Sequence, residues 1–207
     1  MQALMMDTPL MISSILKHAE RNFPEVEMVS VTVDQPRHRQ NNKVFASRCR
    51  KLAKALESLG AEFGDRIGTL AWNDFRHMEL YYAVSGAGMV CHTINPKLFP
   101  EQVAYIINHA DDKILFVDVL VVPLLEALQE HIKKVDCIVV LTDKVHMPDS
   151  CLENLVCYEE LLKAQTDSYE WPLFDENTAC GMCYTSGTTG NPKGVVYSHR
   201  STVLHAL

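Results

Sequence analysis

Between residues 64 and 141 the hydrophobic positions follow two rhythms in turn. Short runs that are apolar at nearly every residue, at 67–72, 89–94, 114–117 and 137–141, are separated by segments whose apolar residues return every three or four positions. The first rhythm fits strands buried on both faces, the second amphipathic helices. The helical segments carry Met78, Tyr81 and Tyr82, then Val103, Ile106, Ile107 and Ala110, then Val121, Leu124, Leu125, Leu128 and Ile132. Their alternation predicts an α/β fold, a largely parallel sheet with helices on both faces, because crossover helices cover what hairpins leave exposed.

Upstream, Thr8-Pro9 reads as a helix start, with a hydroxyl to cap and a proline in the first turn. Ile12, Ile15, Leu16 and Ala19 form its stripe and Pro24 ends it. Residues 26–33 alternate like a strand. A second helix is expected near Asn42, with Phe45, Cys49, Leu52, Ala53, Leu56 and Leu59 on one face and Gly60 past its end. Residues 142–177 are less periodic, with a short helix predicted over 158–162. Strands follow at 179–184 and 194–198, and a helix opens near His199. Residues 201–207 begin that helix on apolar positions without a capping glycine or polar tail, so the chain is expected to be the front portion of a longer polypeptide.

With 47% hydrophobic and 22% charged residues, the chain is an ordinary globular mixture. Nineteen Lys and Arg against 26 Asp and Glu leave a net charge of −7, so there is no overall basic field for nucleic acid, and any anion must be held locally. Residues 1–16 lack a basic residue and contain Asp7 and Pro9, which argues against a signal peptide. Residues 117–128 are broken by Asp118, Pro123 and Glu126, so no transmembrane segment is expected. Seven cysteines, an odd number, make a disulfide scaffold a poor reading and a reducing cytoplasmic location the simplest one.

The chemistry concentrates in Tyr184-Thr185-Ser186-Gly187-Thr188-Thr189-Gly190-Asn191-Pro192-Lys193-Gly194. Glycines at 187, 190 and 194 allow successive N–H groups to converge on an anion. Ser186, Thr188 and Thr189 add hydroxyl donors, Lys193 adds a full charge, and Thr185 offers an oxygen to Mg²⁺, which prefers hard ligands shared with phosphates. The expected ligand is a nucleoside triphosphate. This is not a Walker A loop, because Pro192 and Gly194 flank the lysine where that motif has glycine and Ser or Thr. A strand follows it, so no helix dipole assists and the loop itself must close over the phosphates.

The same eleven residues resemble the phosphate-binding signature of the adenylate-forming superfamily, which includes acyl-CoA synthetases, aryl-CoA ligases, firefly luciferase and peptide-synthetase adenylation domains. A weaker resemblance runs from Gly64-Asp65-Arg66-Ile67 through Ala87-Gly88-Met89-Val90 and Thr93-Ile94-Asn95-Pro96-Lys97-Leu98 to Asp111-Asp112-Lys113 and Val117-Asp118. The Asn-Pro-Lys-Leu-Phe form is most similar to medium- and long-chain fatty acyl-CoA synthetases. The resemblance implies that residues 1–207 are the N-terminal part of an AMP-binding domain, lacking the family's Tyr-Gly-x-Thr-Glu segment, ribose-binding Asp, hinge and small C-terminal domain. It implies a two-step reaction in the full-length enzyme: a carboxylic acid attacks the α-phosphorus of ATP, and coenzyme A then displaces AMP. Cofactor contacts fall to Thr185, Ser186, Gly187, Thr188, Thr189, Gly190 and Lys193, the metal contact to Thr185 and the catalytic charge to Lys193. The short chain by itself is expected to be inactive, and the reading leaves a homodimer open.

Other signals carry less. Cys180 and Cys183 have metal or redox spacing, but no second pair stands at ligand distance, and core packing is the expectation. Gly86-Ala87-Gly88 ends a helix and precedes a strand, the reverse of the dinucleotide fingerprint. His199 and Arg200 either touch phosphate or cap a helix. Trp72, Tyr81 and Tyr82 are expected in the core, and Asp111-Asp112 and Glu159-Glu160 on solvated turns and faces. The rival readings are an adenylating enzyme for an aryl acid or a carrier protein, and a non-catalytic nucleotide-binding module.

Overall fold

The computed structural model describes residues 4, 5, 7–132, 134–185 and 190–207. Helix α1 (Ile12–Asn22) leads into a two-stranded antiparallel ribbon of β1 (Glu27–Ser30) and β2 (His38–Asn41). Helix α2 (Asn42–Ser58) follows directly. The main unit then runs through β3 (Arg66–Leu70), α3 (Phe75–Gly86), β4 (Val90–Thr93), α4 (Pro100–Ala110), β5 (Asp112–Val117), α5 (Val122–Leu128) and β6 (Cys137–Val140). It closes with β7 (Leu155–Cys157), α6 (Tyr158–Lys163), β8 (Ala179–Thr185), β9 (Lys193–Ser198) and α7 (His199–Ala206). The seven-stranded sheet has the order β7-β6-β5-β3-β4-β8-β9. All its pairings are parallel except β8 with β9, an antiparallel hairpin at one edge.

Each face of the sheet carries its own core. On one, Ile67, Cys91, Ile114, Phe116 and Val139 pack against Leu52 and Leu56 of α2, Leu80 and Val84 of α3, and Tyr158 of α6. On the other, Leu70, Leu115, Val117 and Val140 pack against Ile106 and Ile107 of α4 and Leu125 of α5. Burial of this kind stabilises by about 25 cal/mol per Å² of apolar surface. Local signals set several boundaries. The Asn41 side chain accepts from the Val44 amide at the start of α2, and Asp74 does the same for His77 at the start of α3. Gly60, past the end of α2, has φ +78°, a left-handed conformation that costs glycine little.

Three elements depart from the sequence expectation. Helix α1 begins at Ile12, not at Thr8-Pro9, and Met11 at its N-cap gives no side-chain bond. A distant residue supplies the acceptor instead, since the Ile12 amide donates to His199 Nδ1 at 3.3 Å. Strand β2 carries His38, Arg39, Gln40 and Asn41 and pairs with β1 without an apolar pattern. Helix α5 ends at Leu128, short of Ile132.

Candidate nucleotide-binding site

The C-terminal ends of β3, β4, β5 and β8 lie along one edge of the sheet. The chain leaves β3 for α3 on one face and β4 for α4 on the other, which makes this edge the switch point where open α/β sheets bind ligands. Thr93, the last residue of β4, pairs with Cys183 of β8, so Thr185 stands two residues beyond the end of that ladder. The switch-point loops also bring Lys97 Nζ to 5.7 Å from the centre of the Trp72 ring.

The β8–β9 hairpin positions the stem of the glycine-rich segment. Thr185 is register partner to Lys193, and Tyr184 to Gly194. Thr185 and Lys193 therefore stand opposite each other at the neck, both exposed. No described carboxylate forms an ion pair with Lys193, which leaves its charge available to an anion. Gly190 has φ +92°, where a side chain would be strained. The structure thus brings together Thr185 and Lys193, with Gly190 nearby in the chain. Ser186, Gly187, Thr188 and Thr189 lie outside the described residues. Thr185 fits Mg²⁺ as a donor of one neutral oxygen, which requires the remaining ligands to come largely from phosphates.

Among the described residues His199 forms no hydrogen bond with Thr185 or Lys193 at the neck of the hairpin. It is fully buried, accepts from the Ile12 amide, and meets the Phe174 ring edge-on at 5.0 Å. Burial drives its pKa down to about 4, so it sits neutral. Arg200 pairs with Glu176, which also accepts from the Leu10 amide at 2.7 Å. Trp72 and Tyr81, expected in the core, are 40% and 43% exposed. The Tyr81 ring stacks on His77 at 4.9 Å. Beside Tyr81 an apolar cavity of about 480 Å³ runs between α1, α3, β8 and α7, lined by Ile15, Tyr82, Cys91, Met182 and Tyr197. Cys180 is buried and Cys183 half-buried, each next to a hydroxyl group, of Thr202 and Tyr197 respectively.

The carboxylate pairs expected on solvated turns are divided by their surroundings. Asp111, at the end of α4, bonds Arg66 and Lys134, but Asp112 is buried against His92. Burial raises the Asp112 pKa, against the opposing bond from His92. Glu159 takes a two-pronged bond from Arg48 at 2.9 and 3.0 Å and another from Arg76 at 2.8 Å. That cluster extends to Glu79, wholly buried, which accepts from Arg48 at 2.7 Å and Tyr158 at 2.6 Å. Burial pushes the Glu79 pKa up while Arg48 pulls it down. These charges hold α2, α3 and α6 together on the face away from α4. Sequence reasoning missed His92, Asp112 and Glu79; the signal available was a polar residue inside an otherwise apolar run, as in Val90-Cys91-His92-Thr93-Ile94.

Residues 16–207 match the family model described as AMP-binding enzyme. A 3-methylmercaptopropionyl-CoA ligase of Ruegeria lacuscaerulensis is 51% identical over 98% of this chain, which covers 38% of that protein. A medium-chain-fatty-acid–CoA ligase of Ectopseudomonas oleovorans is 48% identical over 98% of this chain and 37% of its own length. The fold superposes on an anthranilate CoA ligase in complex with anthranoyl-AMP with a TM-score of 0.81 at 20% identity, over 97% of this chain and 37% of that one. The chain therefore spans under two-fifths of these relatives' length. No helix among the described residues is long and apolar enough to cross a membrane. On the match over nearly its whole length, the chain belongs to the AMP-binding enzyme family.

Proposed function

We propose that residues 1–207 form the front part of the AMP-binding domain of an ATP-dependent acid–thiol ligase, which converts an aliphatic carboxylic acid through its acyl-adenylate to an acyl-CoA thioester. The observation that carries this reading is the pairing of Thr185 with Lys193 across the neck of the glycine-rich hairpin, at the switch-point edge of a parallel sheet. The relatives' activities toward a medium-chain fatty acid and 3-methylmercaptopropionate support an aliphatic acid. Lys193 neutralises charge on the β- and γ-phosphates, and the Gly190 turn lets the backbone approach them. Thr185 lends one oxygen to Mg²⁺, which supplies charge neutralisation on the same phosphates when bound. Catalysis is then mostly positioning and electrostatics, with little covalent work for the protein. Seven free thiols support a reducing compartment such as the cytoplasm.

Acid-dependent ATP–pyrophosphate exchange by the complete enzyme tests this. Lys193→Ala is expected to slow it by about 2 to 4 kcal/mol of barrier, roughly 30- to 1,000-fold. Unchanged exchange overturns the role of Lys193. Residues 1–207 alone are expected to turn nothing over, and robust exchange by them counts against the reading.

A further inference from the structure

On the face of the sheet covered by α4, a polar line crosses five adjacent strands through an otherwise apolar surface. Asp112 of β5, His92 of β4 and Tyr184 of β8 make the line, and glycines stand at Gly68 of β3 and Gly194 of β9, where it meets backbone. His92 Nδ1 donates to the Asp112 carboxylate, 2.8 Å from both oxygens, and neither side chain is exposed. The pair bridges β3: a Cβ on Gly68 would stand 3.0 Å from Asp112 Oδ2 and 2.4 Å from Leu115 Cδ2. His92 Nε2 is buried without a partner among the described residues. The His92 ring lies 5.3 Å from that of Tyr184, whose hydroxyl shares a 2.6 Å hydrogen bond with His109 Nδ1 of α4. Across the hairpin, a Cβ on Gly194 would come within 3.2 Å of the Tyr184 ring. Tyr184 is thus held on three sides, one residue before Thr185.

A buried Asp–His pair is a poor stability device, since well-packed apolar residues of similar volume often serve the fold as well or better. What this pair does that apolar residues cannot is fix the plane of one ring, and that ring abuts Tyr184. We propose that Asp112 and His92 are positioning residues, which orient His92 against Tyr184 and thereby hold Thr185 and Lys193 in register before a triphosphate arrives. A stem ordered in advance reduces the entropy lost when the anion binds. The inference rests on the nucleotide reading for its purpose, but not for its structural consequence.

Hydrogen exchange of the intact protein without nucleotide tests that consequence. His92→Leu and Asp112→Leu are expected to speed exchange of the stem amides around Tyr184, Thr185, Lys193 and Gly194 by about tenfold, as for loss of some 1.4 kcal/mol of local stability. Protection in β5 and β6 should stay as in the wild type. Asp112→Asn, which keeps an acceptor for His92 Nδ1, should remain near wild type. An unchanged stem, or acceleration spread evenly over the sheet, overturns the proposal. Should His92→Leu fail to fold, Tyr184→Leu, at a half-buried position, must loosen the stem by itself. In the enzyme assay the same loosening should raise the KM for ATP by about tenfold with the KM for the acid unmoved. A fall in kcat at constant ATP KM speaks against it. If Lys193→Ala leaves pyrophosphate exchange intact, the nucleotide reading fails, whereas the hydrogen-exchange result still decides the role of His92.

Discussion

His199 makes the protein's stability depend on pH in a way that one substitution isolates. Its Nδ1 accepts the Ile12 amide, and its ring is fully buried against Phe174. A protonated ring would aim an N–H at another N–H and would carry an unpaired charge indoors, so the native state holds the imidazole neutral, with a pKa near 4 against an ordinary 6.5. Because the unfolded chain binds the proton more readily, the stabilisation is complete above the ordinary value and declines as pH falls toward the folded one. Worked through these two values, the cost of going from about pH 7.5 to pH 5 is about 2 kcal/mol, and it approaches about 3 kcal/mol below pH 4. His199→Asn keeps an acceptor near the Nδ1 position and does not titrate. Urea unfolding followed by the fluorescence of Trp171, buried against Gly86, measures both chains. Carboxylates titrate in both and cancel, leaving the wild type to lose about 2 kcal/mol more than His199→Asn over this range. Equal losses would falsify the neutral-imidazole cap on α1.

Two further substitutions probe the sheet and its helices. Gly68→Ala puts a methyl group into Leu115 and the Asp112 carboxylate, and is expected to cost about 1 to 3 kcal/mol by overpacking; an unshifted urea midpoint would show that the crossing over β3 is loose. Glu79→Leu strips a wholly buried carboxylate from Arg48 and Tyr158, for an expected loss of about 3 kcal/mol, while Glu79→Leu combined with Arg48→Met should regain much of it. A double variant no better than the single one would mean that Arg48 is sustained by Glu159 alone.

The parts of this structure that were legible in the sequence are those whose stabilising partners lie close in the chain. Strands β3 to β6 show as apolar runs because both faces are covered, and α2 shows its start because Asn41 bonds Val44 three residues away. The parts missed owe their conformation to distant residues. Strand β2 has no apolar signature, and its Gln40 is buried through a bond to Glu79. Helix α1 ignores the local Thr8-Pro9 signal because His199, 187 residues on, takes the Ile12 amide. Asp112 reads as a turn residue until β4 brings His92 to it. At the candidate site the order of residue types singled out Thr185 and Lys193, whose pairing in register follows from an antiparallel hairpin. The line that supports Tyr184 was hidden, because the five strands it draws on, adjacent in the sheet, are not consecutive in the chain.

The clasp at His199 and the line through His92 bear on the same hairpin from opposite ends. A candidate anion loop between two strands has no helix dipole to steady it, so order in its stem comes from the strand ladders and from side-chain packing. Beyond the β4–β8 ladder, Tyr184 is wedged between His92, His109 and Gly194 near the neck. At the root, Ser198 and Ser201 form a capping box, and His199 and Glu176 tie the start of α7 to the chain entering α1. If these ties act in concert, disabling both ends must loosen Thr185 and Lys193 by more than the two effects added together. If they act separately, the free-energy changes for His92→Leu and His199→Asn will sum to within about 0.5 kcal/mol, as for independent distant sites. Stem-amide exchange in the two single variants and the double variant separates the cases, and additivity would mean that the hairpin's root and neck are ordered independently.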